Sequence, residues 1–185
     1  MIVFIVGGSK SKKSFYGERI AEYIYDSEGV LYYLATMKPY DNEDIIRIEE
    51  HVKVREGHGY LTLEKEDNIL DLIDCFSYND TILLDSITSL VTNELFGENS
   101  RGNRVCDKIM YELSLLSKKV KNIVVVSDYL LSDGINYDKY TENFKREIGK
   151  LNCNIAEGSD VVIESSFGNV IFHKGKERIN DEALK

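Results

Sequence analysis

Five apolar residues, Ile2-Val3-Phe4-Ile5-Val6, run without a break into Gly7-Gly8-Ser9-Lys10-Ser11-Lys12-Lys13-Ser14, and a segment of helical periodicity follows. Strand, glycine-containing basic loop and helix in that order make a phosphate cradle. Backbone N–H groups of the loop and of the first helical turn surround a polyphosphate, a lysine neutralises the outer phosphates, and a hydroxyl holds Mg²⁺. Lys13 and Ser14 fit the last two roles. The pattern G-x-x-x-x-G-K-[ST] has glycine where this chain has Lys12. Either the backbone there tolerates a side chain or the loop is altered. A basic loop at a helix start would read similarly; the ordered strand, loop and helix favour the nucleotide site.

Bulk properties narrow the setting. A chain of 185 residues with 43% hydrophobic composition suits one α/β domain over residues 1–185. Its net charge of -9 makes nonspecific binding to nucleic acid or anionic membrane unfavourable except at a local basic patch such as Lys10, Lys12 and Lys13. Cys75, Cys106 and Cys153 are far apart and lack C-x-x-C spacing, so they read as reduced thiols in a cytoplasmic protein. The N-terminus lacks the layout of a signal peptide, and no apolar run is long enough to span a bilayer.

Strand-length apolar runs recur at Ile2–Val6, Val30–Leu34, Thr81–Leu84, Asn122–Val126 and Val161–Glu164, with a hairpin-like run at Asn169–His173. Helical segments lie between them: Ser14–Tyr25, Asp41–Val54, Ile87–Phe96, Val105–Leu116 and Tyr140–Ile155. The alternation predicts a mostly parallel sheet with helices on both faces, and with the phosphate loop it predicts a P-loop NTPase-like, RecA-type α/β fold. Gly97–Asn103 reads as a loop, Pro39 as the turn before the second helix, and the charged tail after Lys174 as frayed.

Two further positions carry chemistry. Thr81-Ile82-Leu83-Leu84-Asp85 is a buried strand ending in a carboxylate, which suits either an Mg²⁺ contact or a helix N-cap. His51 lies at the border of the polar face of a helix whose apolar stripe is Ile45, Ile48 and Val52. Beside Lys53 and Arg55 its imidazole suits a nucleophile toward phosphorus; a solvated surface histidine fits the same pattern. With His58 and His173 it assembles no zinc signature.

The ordered set of short stretches is more specific than any one of them. Gly7–Ser14, Tyr33-Leu34-Ala35-Thr36, Arg47-Ile48-Glu49-Glu50-His51 with Arg55 and His58, and Tyr60, Thr62 and Glu64 come first. Leu83-Leu84-Asp85-Ser86-Ile87-Thr88, Val91-Thr92-Asn93, Phe144, Gly149 and Asn152 follow. Over roughly residues 2 to 165 the chain resembles the bifunctional adenosylcobinamide kinase / adenosylcobinamide-phosphate guanylyltransferases of cobalamin biosynthesis. The resemblance implies phosphorylation of adenosylcobinamide by ATP or GTP, then transfer of GMP from GTP through a guanylylated histidine to adenosylcobinamide phosphate. It implies His51 as that histidine, and Arg55, Glu64 and Asp85 as nucleotide contacts beside Gly7, Gly8, Ser9, Lys10, Ser11, Lys12, Lys13 and Ser14. It also implies Mg²⁺ at Ser14 and Asp85, and a homotrimer.

Departures from the family pattern are Lys12 for glycine, Asp85 for glutamate, Val126-Ser127-Asp128-Tyr129 for Thr-Asn-Glu-Val, and Ser132-Asp133-Gly134-Ile135-Asn136 for Gly-x-Gly-Ile-Val-Pro. Glu142, Lys145, Arg146 and Cys153 differ as well. They leave open a relative that binds nucleotide but has lost one or both reactions, or a kinase for another alcohol.

Overall fold

The computed structural model describes residues 1–97, 104–129 and 135–184, apart from the side chains of Arg47 and Val54. Seven strands form one sheet: β1 (Ile2–Gly7), β2 (Leu31–Ala35), β3 (Leu61–Glu64), β4 (Thr81–Asp85), β5 (Asn122–Asp128), β6 (Val161–Ser166) and β7 (Asn169–Lys174). Their spatial order is β3-β2-β4-β5-β1-β6-β7, all parallel except β7, which returns antiparallel to β6. Among the described residues, five α-helices accompany them: α1 (Lys13–Ile24), α2 (Asn42–Arg55), α3 (Ile87–Phe96), α4 (Val105–Lys119) and α5 (Lys139–Gly158).

The central strands are apolar on both faces, as strands of a parallel sheet are. Val3, Ile5, Leu83, Val124 and Ile163 pack on the α1 side, while Phe4, Leu34, Ile82, Leu84 and Val125 pack beneath α3, α4 and α5. Such continuous burial requires helices on both faces. Gly17 lets α1 approach the sheet closely, since a Cβ there would stand 2.9 Å from Val126 Cγ2 and 3.2 Å from Leu83 Cδ1. Asp41 caps α2 by accepting from the Asp44 N–H (2.9 Å), with Glu43 and Asp44 in the first turn favoured by the helix dipole.

Three expectations change. Leu61–Glu64 is an edge strand that sequence reading passed over, because its side chains are mostly exposed and form no apolar run. Ile69–Cys75 forms a 3₁₀ segment whose Ile69 is fully buried. The tail after Lys174 does not fray: Lys176–Arg178 and Asp181–Leu184 are 3₁₀ turns, and Ile179 and Ala183 are buried in the cluster that contains Ile20 and Ala21 of α1. Charge alone hid those two apolar anchors. Of the Gly97–Asn103 loop, residues 98–103 lie outside the described residues, as do residues 132–134 of the Ser132–Asn136 departure.

Candidate active site

Gly7 ends β1 where a side chain has no room, since its Cβ would meet Ser11 Oγ and Ser165 O, each at 2.5 Å. The loop then turns back on itself, Ser11 N–H donating to Gly8 O (3.3 Å), while Ser165 Oγ donates to Ser11 O (2.5 Å) from β6. Lys10 and Lys12 both take the left-handed conformation, with φ of 56° and 70°. The backbone therefore keeps at Lys12 the geometry for which glycine is suited, and the lysine sits there exposed. Lys12 is the N-cap of α1 and caps it with no side-chain hydrogen bond, and the first turn holds no acid. Its N–H groups and positive dipole end suit an anion.

Lys13 is buried, and its Nζ lies 2.6 Å from Asp128 Oδ1 and donates to Gly8 O at 3.3 Å. Asp128 ends β5, and its position is fixed by backbone bonds: its N–H donates to Thr88 Oγ1 (3.0 Å) and its carbonyl accepts from Asn152 Nδ2 (3.0 Å). Sequence reading did not single out Asp128 for the site, although it ends an apolar strand as Asp85 does; the strand was expected to stop at Val126.

Asp85 at the end of β4 is not a helix cap. Ser86 caps α3, its Oγ accepting from Ser89 N–H (3.3 Å), which leaves Asp85 Oδ2 to accept from the Tyr33 hydroxyl (2.9 Å). Burial first, and Asp85 next, push the Tyr33 phenol well above its ordinary range, so it remains a donor. The Arg55 guanidinium lies 3.5 Å from the centre of the Tyr33 ring, and its Nη1 is 4.0 Å from Glu18 Oε1. Arg55 is buried, yet its Nε and Nη1 have no hydrogen-bond partner. Buried guanidinium N–H groups left unpaired are costly, and a phosphate oxygen is a natural acceptor for them. Burial pushes the Glu18 carboxyl up to about 7, with Arg55 opposing and Asp85 and Glu22 reinforcing.

These groups converge. Lys13, Ser14, His51, Arg55, Asp85 and Asp128 line one cleft at the C-terminal ends of β1, β4 and β5, together with Met37 and Ile48. His51 and Arg55 are one turn apart on α2, so both reach the cleft. His51 and Ser14 also line a second, neighbouring cleft with Phe15, Glu18 and Glu50. Glu64, by contrast, is exposed at the end of β3 and does not line the central cleft. Ser9 and Lys10 are exposed on the loop. His58 and His173 lie elsewhere, paired with Glu22 and Glu164 at 2.9 Å each. Asn93 acts structurally, its Nδ2 donating to Thr36 O (2.8 Å) and Glu66 O (2.9 Å). Among the described residues, no group of three or more His, Cys, Asp or Glu is placed to hold a metal, and no helix is long and apolar enough to cross a membrane.

Comparison with known proteins assigns this arrangement a lineage. A family model described as cobinamide kinase / cobinamide phosphate guanyltransferase matches residues 3–171. The bifunctional adenosylcobalamin biosynthesis protein CobU of Salmonella typhimurium is 28% identical over 174 residues, covering 88% of this chain and 93% of that protein. Its namesake from Escherichia coli is 37% identical over 97 residues, covering 52% of this chain and 51% of that protein. Among solved structures, an ATPase domain superposes with a TM-score of 0.55 at 12% identity, covering 95% of this chain and 77% of that one. The flagellar accessory protein FlaH of Methanocaldococcus jannaschii gives 0.50 at 15% identity, covering 94% and 77%. These two likenesses bear on the fold, which is that of the P-loop NTPases.

Proposed function

Since the chain belongs to the cobinamide kinase / cobinamide phosphate guanyltransferase family, a bifunctional enzyme family of adenosylcobalamin biosynthesis, we propose that both reactions run around the one cleft. The observation that carries this reading is the convergence of Lys13, Ser14, His51, Arg55 and Asp85 on that cleft.

In the kinase step the Gly7–Ser14 loop holds the triphosphate of ATP or GTP, and Lys13 exchanges Asp128 for the outer phosphates. The aminopropanol hydroxyl of adenosylcobinamide attacks the γ-phosphorus: an O–P bond forms, the β–γ phosphoanhydride breaks, the nucleoside diphosphate leaves and the hydroxyl proton passes to solvent. In the transferase step a neutral imidazole nitrogen of His51 attacks the α-phosphorus of GTP. An N–P bond forms, the α–β phosphoanhydride breaks, and pyrophosphate departs. A phosphate oxygen of adenosylcobinamide phosphate then attacks the same phosphorus, a new phosphoanhydride forms, and the imidazole is released. Arg55, which lines the same cleft and has buried N–H groups without partners, stabilises charge on the transferring phosphoryl oxygens.

Ser14 and Asp85 are hard oxygen donors lining the cleft together, a set that fits Mg²⁺ held by one carboxylate, one hydroxyl and the nucleotide's own phosphates. When bound, Mg²⁺ neutralises phosphate charge. Glu64 is assigned to the nucleotide on resemblance alone. The same resemblance supports a homotrimer, and exposed Ile45, Ile46 and Val52 on α2 with Leu61 on edge strand β3 offer apolar surface for a neighbouring subunit. The three free cysteines favour a reducing, cytoplasmic setting.

The deciding experiment is intact mass after incubation with GTP and Mg²⁺. The outcome expected is the addition of one GMP, lost in His51→Ala; an unchanged wild-type mass refutes the covalent step.

A further inference from the structure

The turn that joins β6 to β7 is built from Phe167 and Gly168, both at positive φ (51° and 76°). Two-residue hairpin turns of this kind favour Asn-Gly or Gly-Gly, because a bulky side chain at positive φ is strained. Phe167 meets that cost with no return in packing, since it is 98% exposed. An aromatic ring held in an unfavourable conformation and in water has no role in the core of this chain.

Its location suggests what it serves. β6 is the neighbour of β1, Ser165 stands in register with Gly7, and Ser165 Oγ donates to Ser11 O (2.5 Å). From α1, the Tyr16 hydroxyl donates to Gly168 O (2.9 Å). The hairpin tip is thereby tied both to the Gly7–Ser14 loop and to the helix that follows it. The groups suited to the outer phosphates lie on the other side: Lys13 pairs with Asp128 on β5, the opposite neighbour of β1, and Asp85 lies one strand further on β4. A triphosphate whose outer end is at Lys13 and Asp85 runs its inner end across the loop toward β6, and the nucleoside leaves the loop beside the hairpin tip.

We propose that the Phe167 ring is the stacking platform for the base of the phosphoryl-donor nucleotide. This rests on the reading that the Gly7–Ser14 loop holds that nucleotide's triphosphate. An aromatic face with no polar partner accepts any base by its π-surface, so the platform serves ATP and GTP alike and contributes affinity rather than base choice.

The test is calorimetric affinity for Mg-ATP and for inorganic tripolyphosphate, measured on wild type, Phe167→Asn and Phe167→Trp. Asparagine keeps the left-handed turn and tryptophan keeps an aromatic face, so neither endangers the fold. Phe167→Asn should weaken ATP roughly tenfold, the loss of one base–aromatic stack, while tripolyphosphate binds as in wild type and Phe167→Trp restores ATP affinity. Unchanged ATP affinity in Phe167→Asn overturns the proposal, as does an equal loss for both ligands, which would locate the damage in the loop. Wild type that binds neither ligand removes the phosphate-loop reading itself, and this proposal with it.

Discussion

Two ionic clusters, one between α3 and α4 and one at the C-terminal ends of the strands, each keep a buried polar atom without a partner, and they differ in its sign: an acid oxygen, Glu112 Oε2, in the first, and cationic N–H groups of Arg55 in the second. Between α3 and α4, Lys108 bonds Glu94 and lies 3.6 Å from Glu112, and the Asn68 N–H donates to Glu94 Oε1 at 3.0 Å. One cation serves two acids there, no cleft residue takes part, and burial pushes the Glu112 carboxyl up to about 7. At the cleft, Arg55 keeps two buried N–H-bearing nitrogens unpaired, and Lys13 is held by a carboxylate beside a cavity. A cluster whose cation is already committed locks helices together. One that keeps an arginine with unpaired donors in the lining of a cleft suits an anion that arrives later. Substitutions at the cleft should therefore alter chemistry and binding, and those in the Lys108 cluster stability.

The largest expected effect is on the covalent step. His51→Ala should abolish GMP addition, read by intact mass, while its thermal midpoint stays close to that of wild type because the residue is only half-buried on α2. Lys108→Ala is the mirror test. It strands Glu94 and Glu112 without their cation and should cost about 3–5 kcal/mol in urea unfolding, with GMP addition unaffected below the melting range. Loss of labelling in a folded Lys108→Ala protein would break the contrast. Lys13→Ala comes next, expected to weaken nucleotide binding by roughly 1.5–3 kcal/mol because a charge-assisted contact is lost. Equal affinities by calorimetry would refute the role given to the loop.

A smaller effect reads the Lys108 cluster by pH. Glu112 binds its proton more tightly folded than unfolded, against a usual value of 4.5. Its contribution is fully present below pH 4.5 and fades as pH rises through about 7. Glu112→Gln keeps the neutral shape and should flatten the fall in stability over that window by on the order of 2 kcal/mol. Glu18 carries a shift of the same sign, so some slope remains in the variant.

What was legible in the sequence follows from how each feature is encoded. Strands buried on both faces appear as apolar runs, so β1, β2, β4, β5 and β6 were visible; β3, an edge strand with Leu61 exposed, was not. The loop could be read because its residues are contiguous. The setting of Arg55 could not, because the ring it stacks on and the acid it approaches lie 22 and 37 positions earlier, at Tyr33 and Glu18, and meet it only through the fold. Asp128 was missed for a local reason: Ser127 ended the apolar run two residues before the end of the strand, although Ser127 is buried and its hydroxyl donates to Asn152 Oδ1 (2.7 Å).

The smallest expected effect belongs to Lys12, which differs from both clusters in being exposed and strained rather than buried and paired. At φ 70° a lysine costs roughly 1–2 kcal/mol, and glycine would relieve it. Glycine also loses about 0.5–1 kcal/mol more backbone freedom on folding, so Lys12→Gly should change stability by at most about 1 kcal/mol. The kinase step is the more sensitive reporter, because the Lys12 carbonyl accepts the first helical bond of α1, from Tyr16 N–H at 3.0 Å, and strain there bears on the N–H groups that face the phosphates. The transferase step as proposed depends on His51, two elements away on α2. Single-turnover rates should therefore show wild-type phosphorylation of adenosylcobinamide slower than guanylylation by GTP, with Lys12→Gly accelerating only the former. If the substitution leaves phosphorylation unchanged, or if wild type already phosphorylates faster than it guanylylates, strain at Lys12 is no impediment to phosphoryl transfer.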